Sequence, residues 1–179
     1  ITIEDAPDTI NIPDAGDGTV VNEGGLPPRA DEPVGSGEGA DADPDNNSDP
    51  SESTGSTVTF NSPDGVGSIT INGVEVNLDN EGGNDADDQV IVDDDTGTLV
   101  ITEVTYDPVT GEGTITYEYT LGDNTSGDDT AVDFDFVVTD LDGDTAEDTL
   151  TITIVDDVPD AIDDAATQGA ENAPVTVDV

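Results

Sequence analysis

Apolar and polar residues alternate along most of the chain after residue 56. Between residues 115 and 121 every second position carries Ile, Tyr or Leu, and Thr or Glu occupies the positions between them. The same alternation occurs at residues 57–60, 68–71, 74–78, 132–138 and 150–154. Side chains alternate between the two faces of a strand, so a period of two predicts β-strands with one apolar face. No window of 11 residues shows the repeat of an amphipathic helix.

Turn-forming sequences separate these segments at intervals of about 8–12 residues, which is typical of an all-β sandwich. Asn72-Gly73 is a strong hairpin signal, and Ser62-Pro63-Asp64-Gly65 predicts a turn. With a short strand at residues 19–22, about eight strands are expected. We therefore predict an antiparallel β-sandwich. All three Phe and all three Tyr lie between residues 60 and 136, so we expect the core there.

Residues 24–56 have a different composition. They include five prolines, six glycines and eight acidic residues, with almost no apolar side chains. Such a segment cannot bury enough apolar surface to fold alone. We predict a long, flexible, acidic disordered loop within the sandwich.

The two ends of the chain resemble each other. Ile-Thr-Ile, two acidic residues, an apolar residue and Pro-Asp occur at residues 1–8 and, with one extra residue, at residues 152–160; the two prolines are 152 positions apart. A repeat of this length indicates tandem domains. The predicted organisation is the end of a preceding repeat and a linker at residues 1–9, one domain at 10–155, a calcium-binding linker at 156–164, and the start of the next repeat at 165–179.

The charge changes the picture of the surface. The chain of 179 residues carries 45 acidic side chains and one cation, Arg29, for a net charge of −44. It would repel nucleic acid and anionic membranes, so we expect neither as a partner. Cys, His and Lys are absent, which rules out disulfides, Cys/His zinc sites and Ser-His nucleophiles. Abundant carboxylates without N or S ligands favour a hard cation, above all Ca²⁺.

The strongest candidate for a calcium site is Asp140-Leu141-Asp142-Gly143-Asp144. It is not an EF-hand, because Thr145 and Thr151 occupy the positions that need Gly and Glu. A simple hairpin turn is the alternative, and the two interpretations are compatible.

Strand direction groups the acidic residues at the two ends of the sandwich. The last strand leads into the C-terminal linker, so its hairpin loop at residues 140–144 lies at the opposite end, which we call the N-terminal pole; the loop at 123–129 lies at the C-terminal pole. Two segments at each pole would supply the 6–8 oxygens that Ca²⁺ takes. The predicted ligands are Glu4, Asp5, Asp8, Asp140, Asp142 and Asp144 at the N-terminal pole, Asp123, Asp128, Asp129, Asp156, Asp157 and Asp160 at the C-terminal pole, and Glu23, whose pole the sequence leaves open.

Residues 121–130, 133–145 and 148–159 carry a family resemblance. Together with residues 56–76 and 105–121 they resemble the repeats of giant bacterial RTX adhesins secreted by type I systems, of the T1SS-143/VCBS type. The resemblance implies an immunoglobulin-like β-sandwich, Ca²⁺ at the joints between neighbouring repeats of one chain, and a monomeric stalk extender outside the cell, at its surface. Such a stalk would project an adhesive tip in cell adhesion and biofilm formation.

Other functions are weighed against this one. A glycan- or protein-binding immunoglobulin-like module of the same adhesin is the alternative, although aromatic residues are few and Trp is absent. An enzyme is not expected: paired carboxylates could serve a glycosidase, but His, Lys and sugar-stacking Trp are missing. A disordered acidic buffer is the fourth possibility, against which the strand pattern argues.

Overall fold

The computed structural model describes residues 6–26, 50–79, 88–123, 125 and 130–156. Within them the chain forms one short 3₁₀ helix, Glu23–Gly25, and ten strands. The strands are β1 Thr9–Asn11, β2 Val20–Asn22, β3 Ser53–Asn61, β4 Val66–Ile71, β5 Val74–Glu75, β6 Gln89–Asp93, β7 Gly97–Tyr106, β8 Glu112–Leu121, β9 Thr130–Asp140 and β10 Thr145–Val155. The predicted all-β sandwich is confirmed.

The strands form two five-stranded sheets. Sheet A has the order β1-β3-β8-β7-β6, and sheet B the order β2-β10-β9-β4-β5. All pairs are antiparallel except β2 and β10, which run parallel, with Val20 beside Thr153 and Asn22 beside Val155. The N-terminal part of the chain thus contributes an edge strand to each sheet, β1 to sheet A and β2 to sheet B.

The core lies between the sheets, where the alternation predicts it. Alternate residues of β8 are at most 2% exposed, and so are most inward residues of β9 and β10. Tyr119 of sheet A and Phe134 of sheet B bring their ring centroids to 5.7 Å. Aromatic and β-branched side chains from both sheets therefore fill one continuous apolar layer.

The strand directions define the two poles. β9 ends at Asp140 and β10 begins at Thr145, so the loop between them lies at the end where β1 begins. The turn at residues 62–65 and the β7–β8 loop at residues 107–111 lie at this N-terminal pole as well. β10 leaves the sandwich at the opposite, C-terminal pole.

The boundaries predicted for the acidic loop are wrong at both ends. Leu26 is only 2% exposed and belongs to the core, and Ser53 already pairs with Thr120 of β8. Small Ser, Thr and Gly residues at the start of β3 give no hydrophobic signal, but their backbone extends a sheet whose inner face is strongly apolar. Residues 27–49 lie outside the described residues. Thr9, which opens β1 by pairing with Asn61, likewise precedes the predicted domain boundary.

Candidate functional site

Asp140 is the centre of the N-terminal pole. Its side chain is 3% exposed, and its Oδ1 accepts hydrogen bonds from the backbone N–H groups of Asp142 at 3.1 Å, Gly143 at 2.7 Å and Asp144 at 2.8 Å. Its Oδ2 is buried and has no hydrogen-bond partner. The loop is therefore the predicted turn, and Oδ1 of Asp140 holds it together. Oδ2 of the same carboxylate has no hydrogen bond.

Gly143 allows this loop to close. Its φ of +106° lies in a region that residues with a Cβ rarely adopt. The backbone N–H of Asp140 also donates to the carbonyl oxygen of Asp144 at 3.0 Å. Three aspartates of one short loop are held together in this way at the end of the β9–β10 hairpin.

Asp8 brings a second carboxylate to the same pole. Both of its oxygens are buried without a hydrogen-bond partner. Burial raises the pKa of Asp8, and the charges of Asp140, Asp144 and Asp64 raise it further. The nearby Ser62 hydroxyl partly offsets this rise in the pKa of Asp8. The hydroxyl donates its own proton to the carbonyl oxygen of Gly65 at 3.2 Å.

Asp64 is a member of the cluster that the sequence analysis missed. It lies in the turn between β3 and β4, and its Oδ2 accepts a hydrogen bond from the backbone N–H of Ala6 at 3.2 Å. The turn chemistry of residues 62–65 explained this aspartate without any ligand role. Only the folded chain brings it beside Asp8. We call Asp8, Asp64, Asp140, Asp142 and Asp144 the N-terminal acid cluster.

Asp140 and Asp142 shift each other's pKa in opposite directions. The neighbouring Asp140 carboxylate raises the pKa of Asp142 most, and burial and the charges of Asp144 and Asp64 add to the effect. Burial acts to raise the pKa of Asp140 too, but the proximity of Asp142 and the hydrogen bonds from the N–H groups of the loop outweigh it and lower that pKa. The loop thus holds neighbouring carboxylates that repel each other, and a bound cation would relieve this repulsion.

The cluster meets some requirements of a hard-cation site and lacks others. No group of three or more His, Cys, Asp or Glu side chains in the described ranges is arranged to hold a metal ion. Three buried carboxylate oxygens nevertheless have no hydrogen-bond partner, two on Asp8 and one on Asp140. Buried polar atoms normally have hydrogen-bond partners, so these unpartnered oxygens are suitable as ligands of a hard cation such as Ca²⁺. Like charges repel, which opposes a tight cluster in the metal-free chain.

The C-terminal pole contains Glu23. The parallel pairing of β2 with the end of β10 places it there, which resolves what the sequence left open. Glu23 is 1% exposed, and its Oε1 accepts hydrogen bonds from the N–H of Thr125 at 2.6 Å and from its hydroxyl at 2.7 Å. Glu52 also carries a buried oxygen, Oε2, without a hydrogen-bond partner. Neutral donors therefore satisfy one oxygen of the Glu23 carboxylate.

Not all predicted ligands can be placed. Asp123 follows β8, and Asp156 follows β10, at the C-terminal pole as expected. The remaining predicted ligands lie outside the described residues; they are Glu4, Asp5, Asp128, Asp129, Asp157 and Asp160.

Comparison of the chain with protein-family models, with curated proteins and with solved structures found no match. In the part of the chain that the structure describes, no helix has the length and apolar character needed to span a membrane.

Proposed function

We propose that this chain is a structural extender unit of a large calcium-dependent bacterial surface adhesin, in which Ca²⁺ stiffens the joints between repeats. The observation that carries the proposal is the pair of buried carboxylates, Asp8 and Asp140, with three oxygens that lack hydrogen-bond partners. The described residues contain no Lys, Arg or His that could neutralise them.

Calcium suits the chemistry of the N-terminal acid cluster. Ca²⁺ takes 6–8 oxygen ligands and tolerates irregular geometry. Asp8 precedes β1, Asp64 belongs to the β3–β4 turn, and Asp140 ends β9. An ion bound among them would tie three separate segments together where the chain enters the sandwich, and would thereby stiffen the joint.

The architecture supports a role in extension. The chain enters at one pole and leaves at the other, so joined units would extend along one axis. The order β1-β3-β8-β7 against β2-β10-β9-β4, with the N-terminal edge split between the sheets, supports the immunoglobulin-like description. The resemblance to adhesin repeats supports an extracellular location at the cell surface and a part in adhesion and biofilm formation.

One observation favours the alternative, a glycan-binding module. A shallow recess of about 390 Å³ on the outer face of sheet A is lined by the hydroxyl and amide side chains of Asn11, Asn61, Thr59, Thr105 and Thr114, together with Phe60, Gly113 and Glu112. Such groups suit a neutral sugar. Binding on a glycan array that Thr114→Val abolishes would favour this alternative.

A calorimetric titration tests the calcium proposal. The full chain should bind Ca²⁺ at one or more sites, and Asp140→Asn should lose one of them, because a neutral amide replaces the buried anionic ligand. Asp95→Asn, at an exposed position in the β6–β7 turn, is the matched control and should bind like the parent chain. Absence of Ca²⁺ binding in the parent chain, or identical titrations for Asp140→Asn and the parent, would contradict the proposal.

A further inference from the structure

The N-terminal pole exposes apolar side chains as well as carboxylates. Val109, in the β7–β8 loop, is 89% exposed, and Leu141, in the β9–β10 loop, is 74% exposed. Among the large apolar residues that the structure describes, these two are the most exposed. Single exposed apolar residues are common on proteins, so the two matter only if they share one surface.

The turn at residues 62–65 joins the two loops into one surface. Gly111 lies so close to this turn that a Cβ there would stand 2.8 Å from the Cα of Pro63. At the other side of the turn, a Cβ on Gly65 would stand 2.9 Å from Cδ1 of Leu141, and the N–H of Leu141 donates to the carbonyl oxygen of Gly65 at 3.0 Å. Both loops therefore flank the turn that carries exposed Pro63 and Asp64. We call Pro63, Asp64, Val109 and Leu141 the N-terminal face.

The chain reaches this face at Asp64. The N–H of Ala6 donates to Asp64 at 3.2 Å. The preceding residues 1–3, Ile-Thr-Ile, have the same sequence as residues 152–154. In that later triplet Ile152 and Ile154 are buried near the end of β10. Five residues separate the first triplet from β1. A segment of that length spans at most about 20 Å, so a unit that ends in this triplet must lie beside the face.

We propose that the N-terminal face docks against the C-terminal pole of another copy of the same unit that precedes it in tandem. Val109 and Leu141 make the apolar contacts of this joint. The inference rests on the proposed function, because both poles are acidic: Asp64 is exposed on one side, and Glu52 is half-buried on the other. A bound cation removes the repulsion between the two acidic poles. The apolar side chains then fix how one unit is oriented relative to the next, which the cation alone does not.

A tandem protein tests the joint. Residues 1–151 of one copy are followed directly by the full chain, so that the Ile-Thr-Ile of the second copy completes β10 of the first. Val109→Ser with Leu141→Ser is introduced into the second copy alone, where the N-terminal face meets a partner. The matched control carries the same two substitutions in the first copy alone, where the face has no partner.

Small-angle scattering of the three tandem proteins in Ca²⁺ and in EDTA is the measurement. The parent should be extended and stiff in Ca²⁺. Substitution in the second copy should abolish the Ca²⁺-dependent extension, whereas substitution in the first copy should leave it intact. Equal behaviour of the two substituted proteins would overturn the docking face. If Ca²⁺ binds and stabilises the single unit but the parent tandem stays flexible, the joint is wrong and the calcium site stands; if the single unit binds no Ca²⁺, the proposed function itself fails.

Discussion

At the scale of single residues, Asp140 combines two roles that a sequence motif does not distinguish. One oxygen accepts three backbone hydrogen bonds and shapes the loop, and the other is buried and unsatisfied. An unsatisfied buried polar group destabilises a fold by about 1–3 kcal/mol, and more when it is charged. The metal-free sandwich is therefore destabilised at the place where we propose the cation.

The Asp8 carboxyl predicts an unusual pH dependence for the metal-free protein. Its pKa is raised above the ordinary value of 3.8, so the folded state holds this proton more tightly than the unfolded state does. Stability in EDTA should rise as the pH falls from 7 towards about 4, and this gain should shrink in Asp8→Asn. Below about pH 3.8 the trend should reverse, because the lowered pKa of Asp140 makes its protonation destabilising.

Urea unfolding across this pH range is the measurement. Asp95→Asn serves as the control for the general loss of negative charge. In saturating Ca²⁺ the slope between pH 7 and about 4 should have the opposite sign, because protons then compete with the ion. A stability of Asp8→Asn that follows the parent at every pH in EDTA would show that Asp8 is not destabilised by its surroundings.

The sequence predicted the candidate site only in part. Asp140, Asp142 and Asp144 could be chosen because they form one loop, and strand direction placed that loop beside Asp8. Asp64 could not be chosen, since a turn explains its presence and its proximity to Asp8 depends on tertiary contacts. The pole of Glu23 was equally out of reach, because the parallel pairing of β2 with β10 leaves no mark in the hydrophobic pattern.

At the scale of elements, the β4–β5 hairpin shows how a turn can fix a sheet edge. Asn72 and Gly73 both have positive φ, 49° and 78°, as a type I′ turn requires. The Asn72 side chain also accepts a hydrogen bond from the N–H of Asp135 at 2.8 Å. One residue thus forms the turn and joins it to β9.

Two substitutions separate these contributions. Asn72→Gly keeps the backbone conformation and loses the side-chain bond, so it should lower the free energy of unfolding by about 1 kcal/mol. Asn72→Ala also forces a Cβ into the left-handed region and should lower it by about 2–3 kcal/mol. Urea unfolding in saturating Ca²⁺ gives both values. Equal losses would mean that the positive φ contributes nothing at this position.

The elements were predicted well where side chains alternate and poorly where they are small. β8, β9 and β10 follow directly from the period of two. β1 and the start of β3 contain mostly Thr, Asn, Ser and Gly, and they become strands because neighbouring backbone groups offer hydrogen bonds to pair with. Their positions depend on the partner strand, which a local pattern does not contain.

The contacts on either side of residues 27–49 indicate that this acidic segment is dispensable for folding. The N–H of Asn22 donates to the carbonyl oxygen of Ser51 at 2.8 Å, so the chain on either side of residues 27–49 is held together. Replacement of these residues by about four Gly and Ser residues should raise stability by roughly 1.5 kcal/mol through a shorter loop. It also removes seven acidic residues and Arg29.

Thermal unfolding in Ca²⁺ compares the shortened protein with the parent. Calcium titration of the same pair should give equal site numbers. A shortened protein that fails to fold, or one that loses a calcium site, would assign residues 27–49 a structural part that we do not expect.

At the scale of the whole molecule, the net charge of −44 makes stability depend on what surrounds the protein. A ligand that binds only the folded state adds about 2.7 kcal/mol at one hundred times its Kd. For a domain of this size that corresponds to a rise in Tm of roughly 5–11 °C for each site. EDTA should therefore lower the Tm markedly.

Calorimetric scans with two controls separate binding from screening. Mg²⁺ should restore little of the Tm, because it demands a strict octahedron and keeps its water. NaCl at matched ionic strength should restore only the screened, long-range part of the loss. If NaCl restored the whole Tm, the effect of Ca²⁺ would be general charge screening and no specific site would be needed.

The parallel pairing of β2 with β10 has a mechanical consequence. Tension along the long axis pulls the N-terminal segment towards one pole and β10 towards the other. Val20–Asn22 and Thr153–Val155 lie side by side and would slide past each other, so their hydrogen bonds are loaded together in shear. Bonds loaded together resist far more force than bonds that open one after another, as in a peeled hairpin. A pulled unit would therefore yield abruptly at high force, which is the behaviour that the proposed stalk unit would need.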